Sequence, residues 1–160
     1  MSSKKTVIHE FDPCIYPRLL WVVKGGTLEE IRKTLEFAEL DEETQSGGAV
    51  TVSAYDNKNK RGGFLVWFPK TGEMSNLDWI AHECAHVALG IFDYIGAEAK
   101  ASDSEPFSYL VGWVFGCVDK VRKYKEVKDG YRSETSKSED SQDGQLETSC
   151  EETQEAHRNG

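Results

Sequence analysis

Residues 77–95, LDWIAHECAHVALGIFDYI, constrain the fold more than any other stretch of the chain. Ala81, Cys84, Ala88, Ile91, Phe92 and Ile95 recur at steps of three and four, the spacing of an apolar stripe along one side of a helix. Ser75 or Asn76 can cap its start. A helix with such a stripe must dock on a core, and the side chains flanking the stripe are then fixed at the margin of that core. His82 and His86 stand there, four residues apart, so their rings project together about one turn apart. Two imidazoles so placed can take adjacent corners of a zinc tetrahedron, each about 2.0–2.1 Å from the metal. Glu83 points beside them, within reach of water at a metal rather than of the metal itself. A chance His-Glu-x-x-His in a chain of this length is roughly a one-in-two-hundred event. The small residues Ala81, Cys84 and Ala85 also permit close packing beside a metal, so metal binding is preferred over coincidence.

The stretches around this helix read as an α+β unit. Residues 18–23 (RLLWVV) form a short apolar run stopped by Gly25-Gly26, which predicts a buried strand. In residues 27–40, Thr27 and Glu30 have the spacing of a capping box. Leu28, Ile31, Leu35 and Ala38 follow at helical spacing, so one helix is expected there. Residues 49–55 alternate, residues 56–63 (DNKNKRGG) are a polar turn, and residues 63–68 (GFLVWF) return as a second strand, together a β-hairpin. A further apolar helix is expected over residues 105–124. The expectation is a small mixed or antiparallel sheet of about three strands packed on three helices.

From Asp129 the composition changes to DGYRSETSKSEDSQDGQLETSCEETQEAHRNG, nearly free of apolar residues. Such a segment cannot bury enough surface to offset the entropy of ordering, so it reads as a disordered acidic tail. The division is thus 1–128 for the folded domain and 129–160 for the tail. The net charge of −9 argues against a nucleic acid or an anionic membrane as partner, since phosphate-rich surfaces need basic patches. No apolar run approaches the roughly 18–20 residues of a membrane span, and no secretory signal is visible at the start. Cys14, Cys84, Cys117 and Cys150 are widely spaced with no C-x-x-C pair, which points to free thiols in a reducing cytoplasm.

A catalytic zinc usually takes three protein ligands. His9 and His157 are poorly placed, which leaves Glu98, Asp103, Glu105 and Asp119 as candidates downstream. Glu105 stands out because it opens the next helix in SEPFSYL, followed by Pro106 at a favoured first-turn position. A carboxylate at a helix start is also favoured by the helix dipole alone. Asp93 could orient a ligand histidine, and Tyr94 and Tyr109 are candidate oxyanion donors.

HECAH followed by SEPFSYL resembles the gluzincin branch of the zincin metallopeptidases. It is also similar to small HExxH proteins of bacteriophages and bacteria, including ImmA/IrrE-type peptidases. The resemblance covers about residues 65–118. It implies a compact zincin-like domain with His82, His86 and Glu105 as zinc ligands and Glu83 as general base. It further implies a metalloprotease, a hydrolase acting on a peptide or protein substrate, cytoplasmic, with a phage-encoded protein in the host cytoplasm as one form of that expectation. Residues 63–68 resemble the zincin edge strand that pairs with an extended peptide, with Trp67, Phe68 and Trp79 as candidate cleft residues. The chain departs from large gluzincins in having Ser108 and Tyr109 where they carry an acidic residue one turn after the ligand glutamate. The competing reading is a zinc-stabilised binding or regulatory domain without peptidase activity. A structural protein that binds no metal is the third.

Overall fold

The computed structural model describes residues 6–40 and 48–125. Within Met1–Tyr124 the elements are β1 (Ile8–Phe11), β2 (Leu19–Lys24), α1 (Leu28–Arg32), β3 (Leu35–Phe37), β4 (Val50–Asp56), β5 (Arg61–Phe68), α2 (Leu77–Tyr94) and α3 (Glu105–Lys123). The fold is α+β, but the sheet has five strands rather than about three, in the order β1-β2-β5-β4-β3. The tail expected from Asp129 and the boundary at 128 lie outside the described residues.

Two strands escaped the sequence pattern for different reasons. Among the described residues β1 is an edge strand, paired only with β2 (Ile8 opposite Val23, Phe11 opposite Leu20), and its partly exposed residues carry no strong alternation. β3 was hidden inside the stretch expected to be helical. The helix stops at Arg32, capped at its start by Thr27 Oγ1 accepting from Glu30 N at 3.3 Å. Leu35 and Phe37 are then buried with Glu36 exposed between them, a period of two that pairs with β4. Ala38, part of the expected helical stripe, is exposed. A five-residue helix supplies little stability of its own, so the cross-strand burial of Leu35 and Phe37 decides the local structure.

The strands 19–24 and 61–68 lie side by side in parallel, Trp21 opposite Leu65 and Val23 opposite Trp67. Both read as continuous apolar runs because both of their faces are covered. Leu20, Val22, Val66 and Phe68 face α2 and α3. Leu19, Trp21, Val23, Leu65 and Trp67 face the opposite side, where Ile31 of α1 and Leu35 complete a second cluster. Burying each such side chain contributes about 1.5–3 kcal/mol relative to leaving it exposed. The Gly25-Gly26 stop was legible: both have positive φ (73° and 76°), a conformation that glycine adopts at little cost. Gly25 O also accepts a buried hydrogen bond from Trp67 Nε1 at 3.0 Å, which ties the turn to β5.

β4 and β5 form the expected antiparallel hairpin, Val50 opposite Trp67 through Asp56 opposite Arg61. Asp56 holds its turn, accepting from Lys58 N (2.8 Å), Asn59 N (3.1 Å) and Asn59 Nδ2 (2.7 Å). The strand β5 lies in the interior of the sheet, hydrogen-bonded by β2 on one side and β4 on the other. It therefore offers no free edge to a peptide, contrary to the expectation drawn from residues 63–68. Among the described residues no helix is long and apolar enough to cross a membrane.

Candidate metal centre

The helix α2 begins where expected. Asn76 Oδ1 accepts from Asp78 N at 3.0 Å and Trp79 N at 3.5 Å, capping the first turn. It ends in a glycine cap: Gly96 has φ 69°, its N–H donates to Asp93 O at 3.1 Å, and Ala97 N donates to Phe92 O at 2.9 Å. Its buried stripe is rotated from the one read off the sequence. Ile80, Glu83, Cys84, Val87, Ala88, Ile91 and Phe92 are buried, whereas Ala81 is exposed and Ile95 is 43% exposed. The larger Ile80 and Val87 displace the small Ala81 from the core, as burial of the greater apolar area favours. The rotation sets Glu83 inside the core-facing stripe rather than beside it.

His82 and His86 are both exposed, and their rings converge. The two Nε2 atoms are 2.9 Å apart, and the rings meet edge to face at 4.5 Å between centroids with 76° between planes. Two nitrogens each about 2.0–2.1 Å from one tetrahedral zinc would be separated by roughly 3.3 Å. The observed separation is close to that, with the same nitrogen of each ring turned to one point. The pair fits two corners of a metal site. Without a metal, one Nε2 must carry a proton and donate to the other.

Glu83 is only 7% exposed and makes no hydrogen bond among the described residues. Its oxygens are not among the buried side-chain atoms without a partner, so they reach the cleft beside the helix and are not sealed in the core. With His82 it lines a cleft of about 430 Å³ between α2 and the start of β4, whose other walls are Gly48, Ala49, Asp78 and Trp79. The Trp79 ring lies directly on Gly48: a Cβ there would come within 1.8 Å of it, so no larger residue fits under the ring as it stands. Further along β4, Thr51 Oγ1 is buried with no hydrogen-bond partner among the described residues.

The remaining candidates are placed as follows. Glu105 opens α3 as expected, exposed at its first turn. Phe107 packs edge-on against Phe92 at 5.6 Å, and Cys117 lies near enough to Cys84 to be felt electrostatically. The two helices thus run antiparallel, which sets Glu105 level with the end of α2, roughly 12–14 Å along the axis from His86 at about 1.5 Å per residue. Among the described residues no third His, Cys, Asp or Glu joins the histidine pair. Glu98 pairs with Lys100 at 3.1 Å, and Asp119 pairs with Arg122 and Lys123. His9 sits on β1 with its ring against Tyr124 at 4.7 Å, and burial lowers its pKa. Asp93 and Tyr94 stand near the far end of α2, and Tyr109 is 75% exposed in a separate groove with Ile15 and Trp113. Of the three aromatics expected in the cleft only Trp79 lines it; Trp67 is on the opposite face of the sheet and Phe68 is in the helix-facing core.

Cys84 and Cys117 do not line the cleft. Burial, with the charge of Glu83 adding to it, pushes the Cys84 thiol up to about 12, and burial pushes Cys117 to about 11, so both stay protonated. Sequence reasoning missed Asp78, although its position one turn before His82 was readable from the helical period. It also missed Gly48 and Ala49, which carry no local signal because only tertiary packing brings them to the helix. Compared with models of known protein families, with curated proteins and with solved structures, the chain matches none.

Proposed function

We propose that the chain is a zinc-dependent peptidase of zincin type, with His82 and His86 as metal ligands and Glu83 as general base. One observation carries the reading: two Nε2 atoms 2.9 Å apart beside a buried carboxylate that makes no hydrogen bond among the described residues. When bound, zinc supplies Lewis-acid chemistry, acidifying water and polarising a carbonyl. Glu83 has both oxygens free to accept a proton from the attacking water. It would take that proton as the C–O bond forms and return it to the leaving amine as the C–N bond breaks, and so end unchanged.

The substrate edge is β4 rather than β5. Among the described residues β3 pairs only with 54–56 of β4, which leaves residues 50–53 without a neighbour on their outer side. An extended peptide can add there as a strand, gaining affinity from main-chain hydrogen bonds. Gly48 and Ala49, just before it, line the cleft with His82 and Glu83.

A second reading, a zinc-stabilised binding or regulatory domain without hydrolysis, is favoured by the lack of a third ligand beside the histidines among the described residues. Zinc titration of the chelator-treated full chain, followed by mass-spectrometric assay of a peptide mixture, separates the two. The peptidase reading expects about one zinc per chain, loss of binding in His82→Ala and His86→Ala, and cleavage that returns with zinc. Zinc binding with no cleavage leaves the binding domain. Glu105→Ala decides the third ligand: its distance along the helix predicts less than a twofold change in affinity, and a strong loss would bring the start of α3 onto the metal.

A further inference from the structure

Two further cavities lie along the same face of β4 beyond the cleft at His82 and Glu83. Ala49, Thr51, Ser53 and Tyr55 project from the same face of β4 by the alternation of a strand. Ala49 borders the first cleft, Ser53 a second of about 200 Å³ with Gly90 and Asp93, and Tyr55 a third of about 510 Å³. On the other wall α2 supplies His82, then Gly90, then Tyr94 in step. Arg18 and Tyr94 border both the second and the third cavity.

Arg18 is the unusual group in this line. Its guanidinium lies 3.4 Å from the Tyr94 ring centroid, and it makes no hydrogen bond or ion pair among the described residues. Stacking fixes the plane of the fork and leaves its donors free for a planar acceptor. Lys60 borders the same cavity without an ion pair among the described residues. The third cation, Arg61, is already taken by Asp12 and Glu10. Asp93 lines the second cavity, outside ion-pair distance of Arg18, and Asp12, the acid lining the third, is paired with Arg61. In a chain of net charge −9 one cavity is thus lined by two cations with no ion pair among the described residues.

We propose that the Arg18–Lys60 cavity is a carboxylate-recognition subsite, selecting peptides with an acidic side chain or a free terminal carboxylate at a fixed distance from the scissile bond. The proposal rests on the peptidase reading for what happens at the histidine end. From His86 to Tyr94 is eight residues, about 12 Å of helix. An extended peptide covers that in three to four residues at about 3.3 Å each. Because β3 occupies the outer side of β4 at 54–56, the peptide must leave that edge to reach the cavity, and the carboxylate stands at least three or four residues from the cleaved bond. A fork-to-carboxylate contact is directional and charge-assisted, which gives selectivity against the uncharged amide.

The test uses the full chain carrying Glu83→Gln, zinc-loaded, and fluorescent octapeptides with Glu or Gln scanned through every position and with acid or amide C-termini. Anisotropy gives the dissociation constants. One position of Glu, or the free C-terminus, should tighten binding about tenfold or more, and the scan tells which source it is. Arg18→Met should erase the preference with zinc content unchanged. Gly62→Ala should weaken it without altering charge, because a Cβ there would come 2.0 Å from Arg18 Nη1 and must push the guanidinium aside. A flat scan, or a preference that survives both variants, overturns the subsite. Cleavage by the wild type with a flat scan overturns the subsite alone. An Arg18-dependent preference with no cleavage upholds the subsite and overturns the peptidase reading.

Discussion

Replacing Glu83 by Gln should remove the general base and leave the metal-free fold nearly as stable as it was. Glu83 is 7% exposed on the core-facing stripe of α2, with no hydrogen-bond partner among the described residues. Its oxygens are not among the buried side-chain atoms that lack a partner, so they open onto the cleft it lines with His82. Glutamine keeps the shape and presents its amide to the same opening, so neither side chain leaves a polar group sealed in the core. Removing the partner of a buried group costs about 1–3 kcal/mol. No partner is removed here, so the change expected is within about 0.5 kcal/mol, the range of substitutions that break no buried contact. For the unit Met1–Tyr124 the unfolding entropy is about 260 cal/mol/K at the usual value per residue, so each kcal/mol moves the midpoint by about 4 °C. Scanning calorimetry of chelator-treated protein should therefore show midpoints within about 2 °C of each other. A midpoint lower by about 4 °C or more for the variant would refute the reasoning, since it would mean that the carboxylate has a partner glutamine cannot replace.

Thr51→Val removes the orphaned buried hydroxyl on β4 and should raise stability by about 1 kcal/mol in urea unfolding; a loss would mean that the hydroxyl is satisfied. Asp56→Ala should lower the melting temperature at pH 7, because the carboxylate accepts three hydrogen bonds from its turn, and those with Asn59 and Lys58 hold its pKa below the usual range. A depressed carboxylate adds stability that is fully present above its unfolded value of about 3.9 and is lost as pH falls through the folded value, so the gap between variant and wild type should narrow from pH 5 downward. Alkylation at pH 8 followed by peptide mapping should label exposed Cys14 and leave Cys84 and Cys117 unmodified, their thiols being pushed to about 12 and 11.

Much of the scaffold was legible because its elements are long or sharply punctuated. The Asn76 cap, the run to Tyr94 and the following helix emerge from period and capping, and the β4–β5 hairpin from its polar turn. What failed depends on neighbours. Leu35 serves a helical stripe and an alternating strand equally well, and only its packing against β4 decides between them. The position of β5 inside the sheet follows from its pairing with β2, more than forty residues earlier, which no local pattern encodes. In the candidate site, the spacing of His82 and His86 was enough to predict that they converge. The phase of α2 was not, because Ala81 and Ile80 both suit an apolar face, and that single step moves Glu83 from the margin to the buried stripe.

The account stands most directly on the rate at which the zinc-loaded chain hydrolyses peptide bonds with and without the Glu83 carboxylate. Rates for wild type and Glu83→Gln, at equal and verified zinc content, should differ by about 10²–10⁴-fold, the usual contribution of a general base. Equal rates, or no hydrolysis of any peptide by the wild type, would contradict it.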